Sequence, residues 1–459
     1  MKKDTLIVEG LAGKKSLNGE VRINGAKNAA LKVMAASVLF DGPMKLMNAP
    51  HTEDTNRVAE LITILGGSVV IDKKEITIDA SSIDSTDLDP DLARSMRSSV
   101  LLTGPMLGRY GKVKFPVPGG CVIGARPIDL FISAYEKLGA EVKLESSKGG
   151  DQYAITAKKL KGAEIFFNLQ TVTGTETIMM AAVLAEGKTV LRNCAMEPEI
   201  TSLAEFLNSC GAKIHGAGTT TITIGGLGSG GLLKAKHAYE TIPDRVETGS
   251  FLLLGVLCAD NLKITHCNPE HIEVLISHLR ESGANIIVTK DTIELRDNAK
   301  LKNSSLKPFN IRTHEYPGFS TDLQAPMTVF LTQVGADEIN PNSGARGESI
   351  VFETIYEGRF KYVSNLEKLG AQLTVMNPRE ILVKGGASLK APEPGEELEA
   401  YDIRAGFATI MAALVAKGTS VIKNAYFIDR GYENIEGRLA ALGADVRRVH
   451  ADEQPEIVI

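Results

Sequence analysis

The chain has 459 residues, of which 43% are hydrophobic and 23% charged. That is the make-up of an ordinary globular protein with room for two or three domains, and it excludes a disordered chain, a collagen-like repeat and a small disulfide scaffold. A net charge of −5 and the absence of tryptophan argue against a nucleic-acid binder, which wants a basic face and stacking aromatics.

No apolar run reaches the ~18 residues of a membrane span. Met1-Lys2-Lys3-Asp4 leads into a short strand-like run without the apolar core of a signal peptide. The five cysteines include no CxxC pair, so a reducing, cytoplasmic setting is expected. A small anionic ligand would have to be drawn by local Lys and Arg, because the overall field is negative.

In chain order the sequence repeats itself six times. A Gly followed by Gly or Ala recurs at Gly66, Gly139, Gly211, Gly283, Gly370 and Gly443, at intervals of 73, 72, 72, 87 and 73. Each ends an amphipathic stretch such as PIDLFISAYEKLGA, where Gly is the usual left-handed helix stop. A second helix, apolar nearly all round, lies about 40 residues before each marker; RVETGSFLLLGVLCAD is one. Such helices must be buried. The expected unit is strand, buried helix, strand, surface helix, strand and strand. Six units predict an α/β protein of two three-repeat domains, with buried helices inside and sheets outside. An open solenoid is the alternative, although solenoid repeats are usually shorter. The expected domains are residues 1–22 with 238–459, and residues 23–237. The first strand (LIVEG) has no partner before the first repeat, so it is expected to join the later domain.

Five stretches look chemical. INGAKNAALK places Lys27 and Asn28 at the start of a buried helix, where free N–H groups, the helix dipole and a Lys attract anions; taken alone, the stretch is better explained by a solvent-exposed Lys in the first turn. PVPGGCVIGARPIDL is a defined loop with Cys121 at its tip and Arg126 before a helix. A Cys beside Arg and free N–H groups can act as acid or nucleophile, with a small hydrophobic Cys buried under the loop as the plain alternative; the other four cysteines read as buried. EYPGFSTDLQAP sets Asp322 before a buried helix, as a cap or a general base. YDIRAGFATIM sets Arg404 at another such start, where an ion pair with Asp402 is the plain alternative; Arg97 in LARSMRSSVLLTGP is as ambiguous. DRGYENIEGRL reads mainly as capping and packing. The eight histidines show no HxH or HExxH spacing, and there is no Walker A or GxGxxG motif. Neither a metal nor a cofactor is expected. These features together suggest a transferase that binds a small polyanion.

Taken together, NGAKNAAL, PGGCVIGARPIDL, YPGFSTDLQ and IDRGYENIEGRLAALGA closely resemble the UDP-N-acetylglucosamine enolpyruvyl transferases (UDP-N-acetylglucosamine 1-carboxyvinyltransferases), nearly end to end. The resemblance implies the two-domain inside-out α/β barrel. It implies transfer of the enolpyruvyl group of phosphoenolpyruvate to the 3-hydroxyl of UDP-N-acetylglucosamine, with release of phosphate, as the first committed step of peptidoglycan synthesis. Cys121 then takes the catalytic acid position and Asp322 that of the base. Lys27, Asn28, Arg126 and Arg404 would bind phosphoenolpyruvate. Arg97, Arg126, Pro127, Ile128, Asp129, Leu130, Asp322 and Ile355 would line the sugar-nucleotide site. The family inhibitor fosfomycin is expected to alkylate Cys121. A sister enzyme with another acceptor, and a binding-only paralogue, are the alternatives. Two segments depart from the family pattern: Thr171-Val172-Thr173-Gly174-Thr175 stands for the usual Ser-Val-Gly-Ala-Thr, and Glu357-Gly358-Arg359-Phe360 for Glu-Asn-Arg-Phe.

Overall fold

Six inner helices carry the core: Lys27–Ala36, Thr103–Tyr110, Val172–Val183, Arg245–Cys258, Gln324–Gln333 and Ile403–Val415. Their sequences are rich in Ala, Leu, Val and Met, and in Ile403–Val415 every residue from Arg404 onward is buried. A helix apolar on all sides is stable in water only when it is covered all round. The computed structural model describes residues 4–117, 128–147, 150–228, 231–335, 338–340, 344–393 and 395–451.

The cover comes from sheets and from six amphipathic helices: Glu53–Ile64, Asp129–Lys137, Pro198–Ser209, Glu273–Ser282, Val363–Lys368 and Ile435–Ala441. The expected stop glycine follows each of these, with φ between +90° and +114°. Only Gly adopts that conformation without strain.

The described residues divide into two compact units, 4–24 with 243–451 and 25–117 with 128–242, and each has one continuous hydrophobic core. This rules out the open solenoid. Each unit holds three sheets. The order Ile311–Arg312, Glu348–Phe352, Glu380–Lys384, Gln372–Asn377 shows the plan, with a parallel first pair and antiparallel neighbours after it. In the second repeat the first strand shrinks to a parallel bridge between Asp87 and Lys114.

Distant segments complete the sheets of both units. In the later unit, Thr5–Leu11 lies between Lys417–Lys423 and Val446–Val449, antiparallel to both. Leu17–Arg22 is the parallel partner of Ala259–Thr265. In the other unit, Tyr239–Glu240 supplies the parallel partner of Met44–Met47. The N-terminal strand therefore joins the late part of the chain. Near the C-terminus a cluster ties these ends together: Arg448 contacts Asp429 (2.7 Å), Glu436 (2.6 Å) and Asp4 (3.5 Å).

The long fourth-to-fifth interval falls mostly between Gln324–Gln333 and Glu348–Phe352. The corresponding helix Arg245–Cys258 runs directly into its strand at Ala259.

Both departures from the family pattern fit the local backbone seen here. The Thr171 hydroxyl accepts a hydrogen bond from Gly174 N (3.1 Å) and caps the helix Val172–Val183. A Cβ at Gly174 would lie 2.4 Å from Thr171 Cγ2, so the added methyl at 171 occupies the space of the missing methyl at 174. Gly358 sits at φ +75°, the region where Asn is the next most tolerated residue. Gly174→Ala is expected to destabilise by about 1–3 kcal/mol through overpacking. Thr171→Ser combined with Gly174→Ala is expected to recover most of that loss in urea melts.

Candidate active site

In the unit formed by residues 4–24 and 243–451, Asp322 lies in a short 3-10 turn, Thr321–Leu323, that runs straight into the inner helix Gln324–Gln333. The Ser320 hydroxyl accepts from Asp322 N and caps the turn. The Asp322 carboxylate does not cap the helix but reaches two arginines. Arg359 Nη2 donates to Oδ1 at 2.7 Å and Arg404 Nη2 to Oδ2 at 3.3 Å. Both guanidinium groups are almost fully buried, while the Asp322 side chain keeps 27% of its exposure. The carboxylate is thus the accessible member of a buried charge cluster.

Burial alone would raise the Asp322 pKa. Arg404 and Arg359 outweigh it and hold the carboxyl well below the usual carboxylate range, with Arg245 adding a third positive charge nearby.

Arg404 is held from below. Its guanidinium stacks 5.4 Å above the ring of Tyr432. Tyr432 is fully buried, stacks on Phe407 at 4.7 Å and shares a 2.8 Å hydrogen bond with Ser250. Asp402 accepts from the backbone N–H groups of Arg404 and Ala405, capping Ile403–Val415. The surface ion pair between Arg404 and Asp402 is therefore replaced by a helix cap and a buried arginine.

Arg359 Nη1 donates to the Thr321 hydroxyl at 2.6 Å. That hydroxyl donates to Glu353 Oε2 at 2.8 Å. Glu353 Oε1 accepts from the Thr313 hydroxyl (2.9 Å), Ile355 N (2.8 Å) and Tyr356 N (3.1 Å). Ile355, expected at the sugar nucleotide, thus stands in the same hydrogen-bonded network as Asp322.

In the unit formed by residues 25–117 and 128–242, Lys27 opens its inner helix, which has no side-chain cap. Lys27 is buried and its Nζ lies 3.1 Å from Asp54 Oδ2 on the next surface helix, so the solvent-exposed reading of Lys27 fails. Asn28 beside it is partly exposed. One helical turn on, Lys32 pairs with the fully buried Glu176 at 2.9 Å, and burial pushes the Glu176 carboxyl up to about 8 against the pull of Lys32. Arg97 opens the 3-10 turn Arg97–Leu102 and is half-buried. Ile128 is buried at the start of Asp129–Lys137, with Asp129 exposed and Leu130 half-buried in its first turn. Cys121, Arg126 and Pro127 lie outside the described residues.

The other four cysteines are buried. Burial pushes Cys194 and Cys267 up to about 11 and Cys258 to about 12, which makes these three poor nucleophiles. Among the described residues no group of three or more His, Cys, Asp or Glu side chains could hold a metal ion.

Sequence reasoning missed Arg359, Tyr432 and Asp54 as site residues. Arg359 stands 37 positions from Asp322, and no local pattern marks that pairing. Its only signal was the family match at Glu357-Gly358-Arg359-Phe360. Tyr432 lay in a stretch read as packing, and Asp54 in the acidic first turn of a surface helix.

Two units of three repeats, with a buried lysine and buried arginines beside carboxylates at inner-helix starts, define a two-unit α/β fold with charge clusters at the starts of its inner helices. The family model described as EPSP synthase (3-phosphoshikimate 1-carboxyvinyltransferase) matches residues 11–439, and the chain belongs to that family. A relative from Campylobacter hominis, "UDP-N-acetylglucosamine 1-carboxyvinyltransferase", is 41% identical over 437 residues, covering 95% of this chain and 98% of the relative. One of the same name from Desulforapulum autotrophicum is 39% identical over 439 residues, covering 96% and 99%. Among solved structures, the enolpyruvyl transferase NikO from Streptomyces tendae superposes with a TM-score of 0.82 at 24% identity, over 98% of this chain and 100% of that one. An EPSP synthase from Acinetobacter baumannii gives 0.65 at 16% identity, over 97% and 100%. These superpositions show the inside-out α/β fold.

Asp322→Asn leaves two buried guanidinium groups without their anion, and is expected to cost about 3 kcal/mol at pH 7. Because the folded pKa is depressed, the carboxylate's contribution is complete above the unfolded value of about 3.9 and is lost as pH falls below it. The gap between wild type and Asp322→Asn in urea melts is therefore expected to be smaller at pH 3 than at pH 7.

Proposed function

We propose that the chain transfers the enolpyruvyl group of phosphoenolpyruvate to the 3-hydroxyl of UDP-N-acetylglucosamine, releasing phosphate, as the first committed step of peptidoglycan synthesis. The observation that carries this reading is the Asp322 carboxylate clasped by two arginines at an inner-helix start, in a chain that matches acceptor-named relatives over nearly its whole length.

The reaction is an addition followed by an elimination. The sugar hydroxyl oxygen bonds to C2 of phosphoenolpyruvate while C3 gains a proton. Loss of a proton from C3 then expels phosphate and restores the double bond. Asp322 takes the hydroxyl proton and Cys121 supplies the proton to C3, so acid and base are divided between two residues. Lys27 and Asn28, with Arg126 and Arg404, hold the phosphate and carboxylate. The planar guanidinium fork suits both groups. A carboxylate clamped by two arginines is a weak base. An anion that engages Arg404 offsets its positive charge and restores basicity to Asp322. In this proposal Arg97, Ile355 and the segment Arg126 to Leu130 bind the sugar nucleotide.

Both substrates are cytoplasmic metabolites, and the reading places the chain in the cytoplasm. No helix among the described residues is long and apolar enough to cross a membrane.

The test is phosphate release from phosphoenolpyruvate with and without UDP-N-acetylglucosamine. Release that requires the sugar nucleotide, and falls about 100-fold or more in Asp322→Ala, is the expected outcome. Release with another hydroxyl acceptor only would move the chain to a sister activity. Nucleotide binding without release would make it a binding protein. Fosfomycin with UDP-N-acetylglucosamine is expected to add one inhibitor mass to the wild type and none to Cys121→Ser, as read by intact mass. An unchanged wild-type mass would count against a reactive thiol at 121.

A further inference from the structure

Glu353 has no role in the reading above, yet it is fully buried at the end of the strand Glu348–Phe352. A buried carboxylate is costly unless its lone pairs are filled. Here four donors fill them, and they come from three different segments. The Thr313 hydroxyl belongs to the segment following the strand Ile311–Arg312, the Thr321 hydroxyl to the Asp322 turn, and Ile355 N and Tyr356 N to the loop after Glu353 itself. The Thr321 hydroxyl is used twice: it donates to Glu353 Oε2 and accepts from Arg359 Nη1 at 2.6 Å. Arg359 in turn holds Asp322 Oδ1 at 2.7 Å. An unbroken chain of hydrogen bonds therefore runs from the Ile355 backbone through Glu353, Thr321 and Arg359 to the Asp322 carboxylate.

We infer that Glu353 is a positioning residue that joins the acceptor-binding loop at Ile355 to the proton-accepting carboxylate of Asp322, with the Thr321 hydroxyl as the link. The inference rests on the proposed function and deepens it. Glu353 is fully buried, so its part is positioning rather than chemistry. Its two oxygens act on different segments. Oε1 shapes the Ile355 turn, and Oε2 fixes Thr321 and, through it, Arg359. Displacing a catalytic group by about 1 Å can cost about 100-fold in rate, so a rigid tether on Asp322 has kinetic consequences.

The two halves can be separated. Glu353→Gln can keep a carbonyl oxygen for Thr313, Ile355 and Tyr356 but places an amide where Oε2 accepts from Thr321. Thr321→Val keeps the shape and all Oε1 bonds but cuts the link. Each is expected to lower kcat about tenfold or more while leaving KM for UDP-N-acetylglucosamine within about threefold. Thr321→Ser, which retains the hydroxyl, is expected to restore most of the rate lost in Thr321→Val. The double variant Glu353→Gln/Thr321→Val is expected to be no slower than the worse single variant, within about twofold, because both break one link. A purely structural Glu353 would lower the folded fraction without this split between kcat and KM.

Wild-type kcat in folded Thr321→Val, or multiplicative losses in the double variant, would overturn the inference. If Glu353→Gln does not fold, the Thr321→Val and Thr321→Ser pair decides. If the wild type shows no sugar-dependent phosphate release, the functional reading fails. The link is then decided by the unfolding equilibrium of Thr321→Val, Asp322→Asn and their double variant. Coupling of about fivefold or more supports it, and additivity overturns it.

Discussion

The structure depends on one constraint: six helices without a polar face must be covered on every side. A single sheet covers only one side of a helix, so three repeats close around three helices in each unit. The sheets and amphipathic helices then face outward, where alternation and charge suit them. Closure also explains why chain order and sheet order part company. Each unit is finished by strands from distant sequence, Thr5–Leu11 and Leu17–Arg22 in one and Tyr239–Glu240 in the other. The apolar interior needs every gap filled, and the nearest available strand is not always the next one along the chain.

The same constraint restricts where polar chemistry can sit. An inner helix tolerates charge near its ends, and Lys27, Asp322 and Arg404 all lie at inner-helix starts. There the charges are partly removed from water and must find partners. Arg359 and Arg404 find Asp322, and Lys27 finds Asp54. Charged groups held in this way are already oriented and little hydrated, which strengthens each contact they make. The tuning has a direction: a carboxylate beside two arginines gives up basicity.

Sequence variation in this scaffold follows local geometry. The Thr171 methyl fills the space that a Cβ at Gly174 would need. Gly358 replaces Asn where the backbone is left-handed, a conformation that both residues accept. Each residue fits the backbone conformation that it occupies here.

Much of this was legible in the amino-acid sequence. Periodicity depends on local rules, so the six repeats, the buried helices and their glycine stops could be read from spacing alone. The burial of Cys194, Cys210, Cys258 and Cys267 followed in the same way. The candidate role of Asp322 was legible only as a choice between cap and base, because both uses begin with a carboxylate before a helix. The tertiary structure removed the cap by turning the carboxylate to Arg359 and Arg404 across 37 and 82 positions. It also placed Tyr432 under Arg404 and joined Glu353 to Thr321, and it took Lys27 out of water against Asp54. Local sequence determines what each segment is, since helix and strand periods arise from neighbouring residues. Which charges meet depends on closing the units in space, and no stretch of sequence contains that distance.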